Sequence, residues 1–170
     1  MVENYPSFVV ERTMMWDCGR DGNFWGNYAL GCLPDEVLTQ CGDRLAFVST
    51  TESDGRRLTQ RFCEGRDIVV LSERIVPKGH RSEADAQVRY FVFAVLHEVA
   101  HAYCDHRPPN EISKDENDAQ EAEANALAFQ WFNDFIGQEN RPALPEFTQQ
   151  ELERAQAANR EAMLDALGRR

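Results

Sequence analysis

The sequence predicts a single α+β domain, with a small, mainly antiparallel sheet packed on a layer of helices. The 170 residues are 42% hydrophobic and 28% charged, which is typical of a globular chain too short for two ordinary domains. Two strand candidates lie before residue 80, and three helix candidates follow it. The first of these helices has the strongest apolar periodicity, and we expect it to be central.

The amino-terminal residues 1–43 are predicted to be largely irregular. Residues 18–28 read CGRDGNFWGNY, where three glycines and two asparagines separate aromatic side chains, and this composition is typical of an ordered loop. A short helix is expected at residues 34–40, because Pro34 suits a first helical position and Gly42 can end the helix.

Two β-branched segments, residues 44–51 and 67–75, are the predicted strands. Both are bounded by glycine or acidic turn residues, and we expect them to belong to one sheet. The long connection between them favours a loose hairpin or a short helix at residues 57–62.

The predicted central helix begins near Ser82, its expected N-cap, and carries an acidic first turn. Two consecutive prolines prevent it from continuing beyond about Asp105. Its apolar side chains recur at helical spacing, namely Val88, Phe91, Val92, Val95, Leu96 and Val99.

Two further helices are predicted towards the carboxyl end. The first spans residues 116–136 with a wide apolar stripe and ends at Gly137. The second spans residues 148–167, where Thr148 and Glu151 have the spacing of a capping box. Its apolar face is thin, so we expect it to lie outermost or to fray.

The composition disfavours several classes of function. Eighteen Lys and Arg against 29 Asp and Glu give a net charge of −11, which opposes nucleic-acid binding by bulk charge and binding to anionic lipid. No apolar run is long enough to span a membrane, and no export signal is recognised, so a cytoplasmic location is expected. Five cysteines without a C-x-x-C pair predict reduced thiols rather than a disulfide framework.

The central helix contains the sequence His97-Glu98-Val99-Ala100-His101, an H-E-x-x-H motif. Imidazoles at i and i+4 lie on one helical face, where both can bind one Zn²⁺, and the intervening glutamate can reach the water of such a site. The motif therefore predicts zinc ligands at His97 and His101, with Glu98 as general base. The structural alternative is two histidines partnered on an amphipathic helix and a solvated carboxylate.

A catalytic zinc site needs a third protein ligand. The metzincin pattern is excluded, because Cys104 and Arg107 occupy its glycine and third-histidine positions. On the next helix, Glu121 shares a face with Asn125 and with small residues that allow close helix approach. We favour Glu121 as the ligand over Glu123, which points about 200° away.

Asn125 lies one turn beyond Glu121 on the same face. We therefore expect its amide to hydrogen bond the distal nitrogen of a ligating histidine and fix its tautomer.

At these residues the sequence resembles the ImmA/IrrE family of zinc metallo-endopeptidases. The similarity consists of HEVAH at residues 97–101 followed by EAEANALAF at residues 121–129. The resemblance implies a gluzincin-type site with Glu121 as ligand and Asn125 as its companion. We expect a zincin-like metallopeptidase domain over residues 1–145, with the C-terminal helix of residues 146–170 packed on the outside or partly frayed.

The expected activity is hydrolysis of peptide bonds in a protein or peptide substrate. Zinc activates water and polarises the carbonyl, while Glu98 accepts a proton and returns it to the leaving amine. His80 and Tyr103 are candidate stabilisers of the transition state, and Tyr90 and His106 are further candidates, although His106 is rather expected to cap the helix. An extended substrate is expected to pair with a strand at residues 67–71.

A different class of function is also compatible with the motif. The same ligands could serve a zinc-binding regulatory or interaction module that does not cleave peptide. The sequence leaves the oligomeric state open.

Overall fold

The computed structural model describes residues 15–50, 66–139 and 141–168. The strands are β1 (Met15–Asp17), β2 (Leu45–Thr50) and β3 (Asp67–Ser72). The α-helices are α1 (Gly19–Leu30), α2 (Asp35–Cys41), α3 (Ala86–Tyr103), α4 (Lys114–Ile136) and α5 (Gln149–Gly168), and a 3₁₀ turn spans Pro109–Glu111. The expected class of mixed helix and strand is confirmed.

The described strands form a parallel sheet in the order β1-β2-β3, so the expected antiparallel pairing is wrong. β2 is central: Met15 of β1 pairs with Ala46, and the β2–β3 register runs from Leu45↔Asp67 to Thr50↔Ser72. Parallel strands need a crossover, which α1 and α2 supply between β1 and β2. Parallel pairing also excludes a hairpin between β2 and β3, while the helix predicted at residues 57–62 lies outside the described residues.

Helix α1 occupies the segment that was expected to be a loop. Gly22 leaves no room for a side chain, because a Cβ atom there would lie 2.7 Å from Cβ of Cys18 and 2.9 Å from Cγ1 of Val76. Trp25, Ala29 and Leu30 of this helix are buried. Gly22 therefore serves tight packing, whereas Gly19 begins the helix with φ of +72° and open space around it, as a turn glycine does.

Helix α3 runs through the core with buried apolar residues around most of its circumference. Asp85, not the expected Ser82, is its N-cap, and the Asp85 carboxylate accepts a hydrogen bond from the amide of Gln87 at 2.9 Å. Helix α4 begins earlier than expected, at Lys114, because Ser113 and Glu116 form a complete capping box. Helices α3 and α4 pack against each other along the core.

Helix α5 lies with most of its surface in solvent and buries Leu152. Its N-terminus has half of the expected capping box, since Thr148 Oγ1 accepts from the amide of Glu151 at 3.2 Å. The Glu151 carboxylate instead forms a bidentate pair with Arg89 of α3, at 2.6 and 3.2 Å. Arg89 is only 2% exposed, and its guanidinium also donates to the Pro145 carbonyl.

No helix in the described ranges combines the length and the apolar character that crossing a membrane requires. The cysteines of the same ranges form no disulfide bond, and Cys63 lies outside them.

We expect Glu151→Gln to destabilise the protein by about 2–4 kcal/mol. The substitution leaves the buried Arg89 guanidinium without a counter-ion, and the 28% exposure of Glu151 keeps the cost below that of a fully buried pair. Urea unfolding followed by circular dichroism measures it. The exposed Glu153→Gln on the same helix is the matched control and should change stability by less than about 0.5 kcal/mol. Equal stability of the two variants would contradict the assigned role of the pair.

Candidate metal centre

Three side chains from α3 and α4 converge at one point. The Nε2 atoms of His97 and His101 lie 3.0 Å apart. Glu121 approaches both rings, with Oε2 at 3.3 Å from His97 Nε2 and Oε1 at 3.5 Å from His101 Nε2. The helical period places the two imidazoles on one face of α3, and the packing of α4 brings the carboxylate to that face.

The spacing of these atoms fits a zinc ion. Ligand atoms at the corners of a tetrahedron, each about 2.0–2.1 Å from Zn²⁺, lie about 3.3–3.4 Å from one another. The two Nε2 atoms are 3.0 Å apart, and the Glu121 carboxylate places Oε2 at 3.3 Å from His97 and Oε1 at 3.5 Å from His101, so each ring nitrogen has one carboxylate oxygen close to that spacing. Two imidazoles and one carboxylate are also a donor set that catalytic zinc sites use, with a fourth position left for water.

Burial shifts the pKa of His101 and the pKa of Glu98 in opposite directions. The pKa of His101 is lowered by burial and by the neighbouring His97, while Glu121 opposes the shift. A lowered pKa favours the neutral imidazole, which is the form that binds a metal. The pKa of Glu98 is raised by burial and by Glu121, with His97 opposing, so the protonated form of this carboxyl is more accessible than that of an ordinary glutamate.

The cluster opens into a cleft of about 290 Å³. β3, whose Val70 is 61% exposed, and α5, through Leu152 and Gln156, both contribute to the lining of this cleft. The cleft is lined by Val70, Leu71, Ser72, Ile75, Tyr90, Phe93, Ala94, His97, Glu98, Glu121, Asn125, Leu152 and Gln156. A ligand in this space would meet the imidazole of His97 and the carboxylates of Glu98 and Glu121 together.

The structure distinguishes the two glutamates that were candidates for the third metal ligand. Glu121 faces the histidines of the motif, whereas Glu123 lies 3.1 Å from the ring of His106. Asn125 lines the cleft as the facial argument required, but its amide bonds neither histidine among the described residues. The distal nitrogen of His101 is instead in contact with His106.

The expected transition-state stabilisers do not line the cleft. His80 lies in a separate surface pocket beside Arg20 and Arg81. Tyr103 packs its ring edge-on against Trp131 at 6.0 Å. Tyr90, a further candidate from the sequence, is the tyrosine among the described residues that lines the cleft.

His106 was expected to cap the helix, since five residues after His101 corresponds to an angle of about 140° around a helix. Helix α3 ends at Tyr103, so the angle around the helix does not apply to His106, whose ring instead contacts His101 and Glu123. In the sequence, the prolines at 108 and 109 indicate that the helix ends just before His106.

Comparison with protein-family models, with curated proteins and with solved structures finds no match to this chain. The resemblance to the ImmA/IrrE family rests on the two motifs and remains a prediction.

We expect the purified protein to bind about one equivalent of zinc, and Glu121→Gln to weaken binding by about 100-fold or more, because a neutral amide is a poor zinc ligand. Competition with a chromophoric chelator measures the affinity. Asp118→Asn is the matched control, since this exposed acid of α4 loses the same charge and belongs to neither group of possible metal ligands. Equal affinity of the two variants would rule out Glu121 as a ligand.

Proposed function

We propose that this chain is a zinc-dependent metallo-endopeptidase. The observation that carries the proposal is the convergence of His97, His101 and Glu121 at zinc-like spacing, with Glu98 in the same open cleft. A zinc site of purely structural type is normally closed by four protein ligands, whereas the described residues supply three to this cluster, which adjoins open space. This arrangement favours an enzyme over a zinc-binding regulatory module.

In this proposal, metal binding and proton transfer fall to different residues of the site. Zinc bound by His97, His101 and Glu121 would supply Lewis acidity, making water a better nucleophile and the substrate carbonyl a better electrophile. Glu98 accepts the proton of the attacking water and then delivers it to the nitrogen of the leaving amine. The raised pKa of Glu98, caused first by burial, suits both transfers, because the protonated acid is then an accessible state.

The proposed substrate is an extended peptide segment. β3 pairs with β2 on one side, and its other edge has no strand partner in the described part of the chain. An edge strand directs unpaired N–H and C=O groups outward, so a peptide can add to the sheet by main-chain hydrogen bonds. Val70, Leu71 and Ser72 of β3 line the cleft that also contains Glu98, so a peptide on this edge passes the general base.

Tyr90 is the proposed donor to the developing oxyanion. Burial raises the pKa of Tyr90, so the hydroxyl keeps its proton, and Asn159 acts in the opposite direction with the smaller effect. The Tyr90 side chain lines the same cleft as Glu98 and Glu121, where a protonated phenol can donate a hydrogen bond to a ligand.

We expect Glu98→Gln to abolish hydrolysis of a diverse peptide library, with cleavage read by mass spectrometry. The amide keeps the shape of the side chain but accepts no proton, and zinc content should equal that of the unmutated chain, because Glu98 is not a proposed ligand. Residual cleavage within tenfold of the unmutated rate would contradict Glu98 as general base. An unmutated chain that binds zinc and cleaves nothing would instead favour the regulatory module.

We expect Tyr90→Phe to lower kcat by about 100-fold with little change in KM, because an oxyanion donor acts mainly in the transition state. The matched control is Tyr103→Phe, since the Tyr103 ring packs against Trp131 and does not line the cleft. Steady-state kinetics on one peptide substrate compares the variants. Similar rates for Tyr90→Phe and Tyr103→Phe would show that the phenol of Tyr90 has no part in the reaction.

A further inference from the structure

A chain of polar contacts leads from His101 away from the cleft. Nδ1 of His101 lies 2.9 Å from Nδ1 of His106, and Nε2 of His106 lies 3.1 Å from Oε2 of Glu123. The His106 side chain is 6% exposed, whereas that of Glu123 is 61% exposed. The contacts therefore connect a histidine of the candidate metal centre, through a buried imidazole, to a carboxylate at the surface.

The end of α3 has a backbone conformation that places His106 in this position. Asp105 adopts a left-handed conformation with φ of 51°, and the amide of His106 donates to the carbonyl of His101 at 3.0 Å. The amide of Asp105 approaches the carbonyl of Ala102 at 3.4 Å, which completes a Schellman motif. Arg44, in the segment before β2, donates a hydrogen bond to the Asp105 carboxylate at 2.9 Å and so stabilises this turn.

The contacts permit one consistent placement of protons when His101 presents the lone pair of Nε2 to the cluster. Its Nδ1 then carries the proton and donates to Nδ1 of His106. The proton of a neutral His106 must consequently reside on Nε2, from which it donates to Glu123. Each polar atom of His106 has a partner in this arrangement. In contrast, Nδ1 of His97 is buried and has no hydrogen-bond partner among the described residues.

We propose that His106 and Glu123 are positioning residues for His101, fixing the tautomer and the ring orientation in which His101 Nε2 binds the metal. This inference rests on the proposed zinc site and deepens it, because it assigns the partner of one ligand. A metal-binding histidine commonly donates its other ring N–H to an acceptor, and loss of such a partner typically costs about 10–100-fold in metal affinity. Here the acceptor is a second imidazole, itself oriented by a carboxylate.

His106 and Glu123 could alternatively bind a second metal ion together with Cys104. Ligand atoms of these three residues lie within 4.8 Å of one another. A metal on Nε2 of His106 would move the proton of a neutral ring to Nδ1, facing His101. Nδ1 of His101 would then have to accept, and its own proton would occupy the Nε2 that the first site needs. With neutral rings the two sites exclude each other, so the proposal requires one zinc per chain.

The test measures zinc affinity, so it does not depend on peptidase activity. Chelator competition at fixed pH is applied to the full chain and to the variants His106→Leu, His106→Asn and Glu123→Gln. We expect His106→Leu to weaken zinc binding by about 10–100-fold. His106→Asn should recover part of the loss, because its amide oxygen is bonded to Cγ as Nδ1 is and can accept from His101. Glu123→Gln should weaken binding several-fold, while Asp118→Asn and Cys104→Ser should have no effect.

A second measurement follows the ring nitrogens directly. In a ¹⁵N–¹H correlation spectrum of the zinc-loaded protein, we expect His101 to carry its proton on Nδ1 and His106 to carry its proton on Nε2. Thermal unfolding of the metal-free variants identifies any that fail to fold, and Glu123→Gln, altered at an exposed side chain, preserves the test if His106→Leu is lost.

Equal zinc affinity for the unmutated chain, His106→Leu and Glu123→Gln would overturn the positioning role while leaving the proposed zinc enzyme intact. Two zinc ions per chain, falling to one in Cys104→Ser, would overturn it in favour of the second site. Failure of the folded, unmutated chain to bind zinc would instead remove the metal centre and the proposed function with it.

Discussion

The packing of α3 against α4 is the constraint on which the candidate centre depends. The H-E-x-x-H motif supplies two imidazoles from one helix, but the third group must arrive from a separate helix at the correct height. Ala124 and Ala128 of α4 are fully buried, as is Ala100 of α3. Small side chains allow two helix backbones to approach closely, and the short distance lets a glutamate side chain reach both rings. Larger residues at these positions would separate Glu121 from the histidines.

The placement of Glu121 was predictable because the relevant geometry is periodic. A helix of 3.6 residues per turn fixes which side chains share a face, so Glu121 and Glu123 could be assigned to different directions before any coordinates. The pattern of small and apolar residues on α4 then indicated which direction faced α3. The same reasoning located α3 and α4 within a few residues, since their apolar periodicity extends over many turns, while the capping-box spacing of Thr148 and Glu151 located α5.

The direction of the strands was not predictable in the same way. Strand composition reports burial and β-branching, but a segment such as Leu45–Thr50 reads alike in parallel and antiparallel sheets. The continuous apolar run at its start, with Leu45 to Val48 all buried, does match a strand covered on both faces. The connection between β2 and β3 lies mostly outside the described residues, while that between β1 and β2 runs through α1, whose glycine-rich sequence resembles a loop until Val76, distant in sequence, is known to pack on it.

The position of His106 illustrates a second limit of prediction from the sequence. Its position depends on a left-handed residue that is not glycine, and Asp105 adopts this conformation with support from Arg44, far away in the sequence. Arg89 is similar, because a charged residue within an apolar helix gives no indication of its counter-ion. Its partner, Glu151, lies in a different helix and had been assigned to a local cap. Contacts between distant segments determined both outcomes.

The C-terminal helix α5 bears on the size of the ligand that the cleft can admit. It was predicted to lie outermost or to fray, and in the structure its Leu152 and Gln156 line the cleft together with Val70, Leu71 and Ser72 of β3. If the chain is the proposed peptidase, a cleft of about 290 Å³ has room for a short extended segment and not for the surface of a folded domain. A folded target would then have to unfold locally before it could be cut.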